Sequence, residues 1–384
     1  MIHFKVYKSF DNLPDSWNTV AEHDVFLQTN YLQALYAASP NNIQWFYVVV
    51  FKGDDLVGVV IVQRVQLYVK DIFRQTQVSC LKTFIRNQVS KVLKGNILVV
   101  GNLTHTGQHG LFVNLESISQ TEFFEAIFSA LSDIKSDIKR SQNKTIRAIM
   151  FKDYFENDSI HKNKTIFDSE KLHKVYVQPN MILPVKANWL SMEDYISDLN
   201  KKYRDRYKRA RKKLNSIKPV ELGLEDIKNH SEELYSLYLN VSKNAKFNTF
   251  ILPQNHFYSL KLHLKDNFKV YGYYLKDKLV GFYTLILNNS TLETYFLGYD
   301  EAHQYPNQLY LNMLYDMLRF GIENKFKTVV YARTAMEIKS SVGAKAKPMV
   351  VYMKHTNLFL NAILKLVFKL MNPSQAWEVR HPFK

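Results

Sequence analysis

Two short stretches of this sequence carry more reactive side chains than folding alone requires. The first, RTAMEIKSSVGAK, places Arg333, Glu337 and Lys339 directly after the strand-like run TVVYA. Open α/β sheets usually build their sites at the carboxyl ends of strands. There, Lys339 or Arg333 is suited to stabilise the negative charge on a carbonyl under attack or to hold a phosphate, and Glu337 is suited to take a proton from an amine. The alternative is a structural Arg–Glu pair at the start of a helix.

The second stretch is GNLTHTGQHG, residues 101–110, in which three glycines stand among polar side chains. Such glycines let backbone amides approach an anion or an acyl chain closely, so Asn102, Thr106 and Gly107 are candidates for cofactor binding. His109, with Asn102 and Thr106 nearby, is a candidate for proton transfer. An ordinary glycine-rich turn between strands is the alternative.

Cations are concentrated in SMEDYISDLNKKYRDRYKRARKKLNSIKP, which predicts a single helix over residues 191–214. Ser191 is the expected N-cap, and acidic residues in the first turn with basic residues near the end suit the helix dipole. The second half of the segment is either a solvated helix face or a cradle for nucleotide phosphates, a transfer RNA or lipid headgroups. The candidates for binding cofactor phosphates are Arg204, Arg206, Lys208 and Arg209.

Length and composition limit the class of protein. A chain of 384 residues with 46% hydrophobic and 14% aromatic residues is long and apolar enough for two globular domains. The formal net charge of +16 favours anionic partners. A single cysteine, Cys80, and an N-terminus without a signal-peptide pattern predict a cytoplasmic location.

Familiar catalytic motifs are missing from the sequence. It contains no P-loop, dinucleotide fingerprint or nucleophile elbow. Because neither zinc nor calcium ligand spacing occurs, we expect no bound metal. Kinase, dehydrogenase and hydrolase activities therefore lose their usual support.

The two halves of the chain have similar orders of elements. Leu56-Val57-Gly58 and Leu279-Val280-Gly281 each follow a charged turn and open an apolar strand, and each half continues with strand, loop, helix and strand. This self-similarity predicts a duplicated fold, with domains at 1–187 and 188–384. A chance likeness of two βα arrangements is the alternative.

A second helix is predicted near the C-terminus, over residues 357–371. Asn357, Asn361, Lys365 and Lys369 recur at four-residue steps and form one narrow polar line, while the residues between them are apolar. The helix is too short to span a bilayer, which takes about 20 residues. Its broad apolar face must pack in its own domain, on a partner or in a membrane interface.

The order of strand, strand, strand, helix and strand from residue 268 onward resembles an acyltransferase of the GNAT superfamily. With the basic helix, RTAMEIKSSVGA and GNLTHTGQHG, the chain resembles the bacterial tandem GNAT-fold family of FemABX-like, BioF2-like and peptidoglycan-biosynthesis-type transferases. The resemblance implies a mixed α/β (α+β) fold of two GNAT-like domains, each a mostly antiparallel sheet flanked by helices. It also implies acyl transfer to an amine without a covalent enzyme intermediate.

The same resemblance directs attention to the strand TLETYFLGYD. Alternation puts Glu293, Tyr295 and Leu297 on one face, where such enzymes often keep a base or a proton donor. The following loop, DEAHQYPNQLY, lacks the glycines with which many acetyltransferases of this superfamily bind coenzyme A. The expected donor is therefore an acyl-CoA held by the basic helix, an acyl carrier protein (ACP), or a charged transfer RNA.

Together these features predict an N-acyltransferase that moves an acyl group from acyl-CoA or acyl-ACP to a primary amine. The expected acceptor is a sphingoid-like amino lipid at the inner face of the cytoplasmic membrane, with peripheral attachment of the protein. Three alternatives stay open: a FemABX-like transferase that uses aminoacyl-tRNA in cell-wall peptide synthesis, an enzyme acting on a polysaccharide amine, and a non-catalytic GNAT-fold binding module.

Overall fold

The structure is a computed structural model that describes residues 1–67, 95–244, 249–371 and 377–384, with the backbone alone for 365–371. Cys80 and the side chains of Lys365 and Lys369 lie outside this description. The chain forms two compact units. Unit 1 consists of the described parts of Met1–Gln178, Lys246–Leu252 and Pro348–Ser374, and unit 2 of those of Pro179–Ala245, Pro253–Lys347 and Gln375–Lys384. These units differ from a continuous division at residues 187 and 188, because the C-terminal helix belongs to unit 1.

The strands in chain order are β1 (Ile2–Tyr7), β2 (Ile43–Lys52), β3 (Asp55–Leu67), β4 (Gly95–Val100), β5 (Leu111–Val113), β6 (Ile146–Phe155), β7 (His173–Pro184), β8 (Lys218–Glu221), β9 (Phe268–Leu275), β10 (Lys278–Asn288), β11 (Thr291–Tyr299), β12 (Thr328–Val330) and β13 (Lys345–His355). The α-helices are α1 (Trp17–Val20), α2 (Thr29–Ala37), α3 (Gln120–Gln142), α4 (Lys164–Ser169), α5 (Met192–Asp198), α6 (Lys201–Leu214), α7 (Leu224–Asn229), α8 (Ser231–Lys243), α9 (His256–Leu264), α10 (Glu301–Asn307), α11 (Leu309–Glu323), α12 (Met336–Ser340) and α13 (Leu358–Met371).

Each unit contains the same arrangement of strands. In unit 1 the order is β1-β2-β3-β4-β6-β13, with β4 and β6 parallel and joined through α3. In unit 2 the order is β7-β12-β11-β10-β9-β8, with β11 and β12 parallel and joined through α11. The other ladders that flank these crossovers are antiparallel. The predicted mixed α/β fold is confirmed.

The repeated Leu-Val-Gly tripeptides occupy the same place in the two hairpins. Both ladders carry a bulge there: Val57 is the extra residue in β3, and Val280 is the extra residue in β10. A Cβ on the following glycine would lie 2.4 Å from Phe123 of α3 in unit 1 and 2.7 Å from Met313 of α11 in unit 2. Each glycine thus lets the crossover helix pack closely on its hairpin, which supports the predicted duplication.

The glycine-rich loop of unit 1 corresponds to a second bulge in unit 2. Ile61 lies three residues after the first glycine and hydrogen-bonds the backbone of both Gly101 and Gly110, so the chain leaves and rejoins the sheet at one point. A Cβ on Gly110 would lie only 2.2 Å from the Cα of Gly101, which explains why the base of the loop is built from glycines. At the matching position in unit 2, Thr284 faces a bulge in β11.

The basic segment is two helices, α5 and α6, and the prediction of a single helix over 191–214 was wrong. Ser191 does cap the first helix, through a capping box with Asp194. The chain is then extended at Leu199, which forms a β-bridge with Phe383. Asn200 starts the second helix, because its side chain accepts the N–H of Tyr203.

The C-terminal helix was predicted over 357–371 and is observed over Leu358–Met371. Its orientation was not foreseen, because Asn361 of the polar line is only 5% exposed, whereas Leu358 and Phe359 are 64% and 75% exposed. Within the described residues, no helix combines the length and apolarity needed to cross a bilayer.

Candidate functional site

The parallel strands β11 and β12 of unit 2 separate after a short shared stretch. They pair only from Thr291 to Glu293 and from Thr328 to Val330. Beyond that point, Tyr331 and the residue after it bond to Met181 of β7 instead. Of the described strands, only β10 pairs with the rest of β11. The carboxyl ends of two parallel strands therefore diverge here, and this is where α/β sheets usually bind ligands.

A pocket of about 440 Å³ lies beyond these strand ends, and we call it the donor pocket. Its walls come from α6, from the segment that links β11 to α11, and from α12. The three cations of the lining belong to α6 and form what we call the cationic wall, and the two glutamines and the tyrosine belong to the linking segment. The lining residues are Arg206, Arg209, Lys213, Gln304, Tyr305, Gln308, Leu311 and Ile338.

The cationic wall is fixed by a buried ion pair between α6 and α11. Arg211 donates to Asp316 at 2.6 Å, and Asp316 also accepts the hydroxyl proton of the buried Tyr273. Burial alone would lower the pKa of Arg211, but the Asp316 carboxylate raises it above its ordinary value. One residue earlier, the carbonyl of Ala210 accepts the side-chain amide of Asn312 at 2.9 Å. These contacts hold α6 in place at the start of α11.

Removing this anchor should destabilise the protein. We expect Asp316→Ala to lower the free energy of unfolding by about 2–4 kcal/mol, because it leaves the Arg211 guanidinium buried without its carboxylate. Denaturant unfolding followed by circular dichroism measures this. Asp205→Ala, which removes an exposed carboxylate from α6, is the control and should change stability by less than about 0.5 kcal/mol. Equal effects of the two substitutions would contradict the anchoring role.

The bulge in β11 presents a second group of polar side chains. The register shift sets Tyr295 and Phe296 opposite Thr284, whose hydroxyl donates to the carbonyl of Phe296 at 2.7 Å. The hydroxyl of Tyr295 lies 3.1 Å from Nε2 of His256, a fully buried residue of α9, and the two rings stack. Glu293, 7% exposed, stands two residues before Tyr295.

The bulge corrects the predicted alternation along β11. Glu293 pairs with Ile286, whereas Leu297 pairs with Tyr283, so these two residues of β11 point to opposite faces of the sheet. The prediction that Glu293, Tyr295 and Leu297 share one face was wrong, because the extra residue shifts the strand by one position.

The segment after β12 contains a buried lysine. Lys339 is 4% exposed, and its Nζ donates to the carbonyls of Arg333 at 2.6 Å and Ala332 at 3.3 Å. Burial lowers the pKa of Lys339 to about 7 and that of the half-buried Arg333 to about 10. Ala332, Thr334 and Ala335 have φ values of 58°, 66° and 46°, a conformation that non-glycine residues rarely adopt. The two hydrogen bonds of Lys339 stabilise this strained turn.

Glu337 is placed differently from the other residues of its motif. It lies in the first turn of α12 with its side chain 51% exposed and pairs with Arg380, not with Arg333. A structural Arg–Glu pair at a helix start, the alternative reading of this motif, is thus present with another arginine as partner.

In unit 1, the loop of residues 101–110 is held by internal hydrogen bonds. Asn102 is 1% exposed and accepts from Gln63 and Thr104, and the Gly107 amide donates to Asp153 at 3.2 Å. Nδ1 of His109 lies 2.9 Å from Asp24. Two predicted ligand-binding residues, Asn102 and Gly107, therefore contribute to the loop's own structure, while Thr106 follows one residue before Gly107 at half-burial.

Comparison with known proteins agrees with this architecture. Residues 201–340 match the family described as acetyltransferase (GNAT) domain. The chain is an acyltransferase with a GNAT domain. Its fold is similar to the crystal structure of FemX, with a TM-score of 0.56 at 11% identity over 94% of this chain and 100% of that one. It is also similar to a tandem GNAT protein from the clavulanic acid biosynthesis pathway, with a TM-score of 0.52 at 10% identity over 93% and 99% of the two chains. Among curated proteins, no significant match was found.

The GNAT domain of this chain caps its central helix without glycine. Gln308 enters α11 in the left-handed conformation, with φ of 50°, and Oε1 of Gln304 accepts the N–H of Tyr310 at 3.0 Å. The side chain of Gln304 therefore accepts a backbone N–H of the first turn of α11. In other proteins the N–H groups of a helix's first turn commonly bind anions.

Four cations of α6 were predicted to bind cofactor phosphates. Two of them, Arg206 and Arg209, line the donor pocket. Arg204 donates to the carbonyl of Leu199 instead, and Lys208 is exposed outside the pocket lining. His256 and the two glutamines were missed, because nothing in their local sequence distinguishes them from other polar residues.

Proposed function

We propose that this protein is an N-acyltransferase that moves an acyl group from a thioester donor, acyl-CoA or acyl-ACP, to a primary amine. The observation that carries the proposal is the donor pocket, whose lining combines three cations of α6 with the segment that links β11 to α11. The GNAT domain over residues 201–340 supports the reaction class.

The donor's charged end fits the cationic wall. Arg206, Arg209 and Lys213 offer charge-assisted hydrogen bonds to phosphate oxygens, and they replace the backbone amides that a glycine-rich loop would supply. The buried Oε1 of Gln308, which has no hydrogen-bond partner among the described residues, can accept an N–H of the donor. An amide-bearing pantetheine arm can extend between the diverging ends of β11 and β12, where its amides would bond to backbone groups.

The transfer needs one proton removed and one supplied. The amine attacks the thioester carbonyl, the C–N bond forms as the C–S bond breaks, the amine loses a proton and the departing thiolate gains one. Tyr295 and His256, whose side chains are hydrogen-bonded at 3.1 Å, are the proposed proton-transfer pair. Glu293 is the carboxylate two residues before Tyr295 on the same strand. The positive charges of Lys339 and Arg333 favour the oxyanion that develops on the carbonyl.

The proposed acceptor is an amino lipid with a sphingoid-like long-chain amine, met at the inner face of the cytoplasmic membrane. Two features support it: the net charge of +16, which favours anionic surfaces, and the apolar side chains exposed at the start of α13. Comparison of amide-linked lipids in cells with and without the gene tests the acceptor, and an unchanged lipid profile would exclude it.

Charge reversal in the donor pocket tests the donor. We expect Arg206→Glu/Arg209→Glu to raise the KM for acyl-CoA about 30-fold or more and to leave kcat within about threefold, because each lost charged contact is worth about 1.5–3 kcal/mol in a site that is partly open to water. Initial rates of amide formation with a soluble long-chain amine measure this.

The matched control is Lys208→Glu/Lys212→Glu, which changes the charge of the same helix equally at exposed positions outside the pocket. A comparable KM increase in both double variants would show that general charge, and not the pocket, attracts the donor. Repeating the assay with acyl-ACP tells the two donors apart. An acidic carrier protein would also contact the exposed lysines, so the control variant would raise the KM for acyl-ACP but not that for acyl-CoA.

Aminoacyl-tRNA is the second candidate donor. The observation that favours it is the number of cations that α6 exposes outside the donor pocket, among them Lys201, Lys202 and Lys208. Ribonuclease treatment separates the candidates: it would abolish transfer from a charged transfer RNA and leave transfer from acyl-CoA unchanged.

A further inference from the structure

The C-terminal helix α13 begins with its apolar side outward. Leu358 is 64% and Phe359 75% exposed, while Leu364 is fully buried and Asn361 is 5% exposed. Two adjacent large apolar side chains at the start of a helix remain in water, although their burial would be favourable. Asn361, a polar residue, faces the interior of unit 1 instead.

Asn361 faces inward because its side chain forms hydrogen bonds with two backbone groups. Its Oδ1 accepts the N–H of His355 at the end of β13, at 2.8 Å, and its Nδ2 donates to the carbonyl of Lys171 at 2.9 Å. Because Asn361 is 5% exposed, these two hydrogen bonds satisfy its amide away from water. This rotation of the helix is therefore fixed by hydrogen bonds, and the exposure of Leu358 and Phe359 is its consequence.

The surroundings of this apolar pair are cationic. Leu358 shares an open depression of about 510 Å³ with Asp168, Lys171 and His173. The nearby carboxylates are already neutralised, since Asp168 pairs with Lys164 and Glu170 with Lys354. Within the described part of the chain, no carboxylate forms an ion pair with Lys171. The surface thus combines exposed leucine and phenylalanine with uncompensated positive charge.

We infer that Leu358, Phe359 and Lys171 form a docking surface for an anionic membrane. Apolar side chains enter the boundary between headgroups and acyl chains while lysine meets lipid phosphates. A stable contact with a second copy of the chain would need roughly 1,000 Å² or more of matched surface, which two side chains do not supply. The surface extends the proposed function, since it brings the enzyme to a lipid acceptor, but it is built from residues outside the proposed catalytic and donor-binding groups.

The test is co-sedimentation of the full chain with vesicles of phosphatidylcholine alone or with 30 mol% phosphatidylglycerol, about 0.1 M salt being present. We expect binding to the anionic vesicles to be about tenfold stronger, and Leu358→Asp/Phe359→Asp to weaken it about tenfold or more. Leu115→Asp/Leu190→Asp is the control, because these leucines are 55% and 81% exposed elsewhere and the added charge is equal.

Two further measurements keep this test separate from the reaction. Acyl transfer to a soluble amine should be unchanged in Leu358→Asp/Phe359→Asp, so a failure of the docking surface and a failure of the proposed function are distinguishable. Equal sedimentation of this variant and the wild type would overturn the inference. A second result would also overturn it: light scattering shows a dimer for the wild type and a monomer for the variant, and neither protein binds vesicles. The surface would then join two copies of the chain.

Discussion

Replacement of Tyr295 by phenylalanine should lower kcat about 100-fold and leave the KM for the acyl donor within about threefold. The substitution removes the hydroxyl that lies 3.1 Å from Nε2 of His256 and keeps the ring that stacks on it. Loss of a positioned proton donor or acceptor typically costs about 10²–10⁴-fold in rate. Single-turnover rates with saturating donor and amine measure the chemical step directly.

The control for this prediction is Tyr271→Phe. Tyr271 also stacks on a neighbouring ring, that of Tyr283, and its hydroxyl donates to Glu221 at 3.2 Å. Its loss should change kcat by less than about twofold and stability by about 1 kcal/mol. His256→Gln should reproduce the rate loss of the Tyr295 variant. If Tyr295→Phe keeps the wild-type kcat, the pair takes no part in proton transfer, and Glu293 becomes the residue to replace next.

Features that repeat within the sequence were the most predictable. The shared Leu-Val-Gly tripeptide identified two hairpins, and in both the valine is the bulged residue while the glycine admits the crossover helix. The physical requirement, a close helix on a bulged strand, is local and leaves a local signature. For that reason the duplicated fold could be predicted from the sequence.

Features that depend on distant partners were not predictable in this way. His256 is hydrogen-bonded to Tyr295, 39 residues later, and Arg211 is ion-paired with Asp316, 105 residues later. The break between α5 and α6 depends on the bridge from Leu199 to Phe383 near the end of the chain. None of these pairings alters the hydrophobic period of the segment in which it occurs, so periodicity could not reveal them.

The bulge in β11 shows how one inserted residue limits such reasoning. Side chains alternate strictly along a regular strand, and the predicted common face of Glu293, Tyr295 and Leu297 followed from that rule. The bulge reverses the rule after Thr294. The same place in unit 1 carries the ten-residue loop closed by Gly101 and Gly110, so both units interrupt the ladder at one position.

Replacement of Lys339 by methionine should change both activity and the pH dependence of stability. We expect kcat to fall about 30-fold or more, because the variant loses a positive charge and the two hydrogen bonds that tie the carbonyls of Ala332 and Arg333. Since none of the groups that line the donor pocket is removed, the KM for acyl-CoA should stay within about threefold.

The pH dependence follows from the direction of the pKa shift. Burial lowers the pKa of Lys339 to about 7 in the folded protein, whereas an unfolded lysine keeps a pKa near 10.5. Between these values the unfolded chain binds more protons than the folded one, so stability increases as pH rises through this window. The contribution of Lys339 is least favourable below pH 7, where the ammonium is buried, and that penalty disappears as pH approaches 10.5.

Denaturant unfolding at pH 7 and pH 9 therefore separates Lys339 from an ordinary surface lysine. The free energy of unfolding of the wild type should gain about 2 kcal/mol from this group between the two pH values, at 1.36 kcal/mol per pH unit less what local relaxation recovers. Lys339→Met should lack that gain, and Lys345→Met, which removes an exposed lysine of unit 2, should keep it. If all three proteins show the same rise, Lys339 keeps its ordinary pKa in the native state, and the rise in stability between pH 7 and pH 9 does not come from this residue.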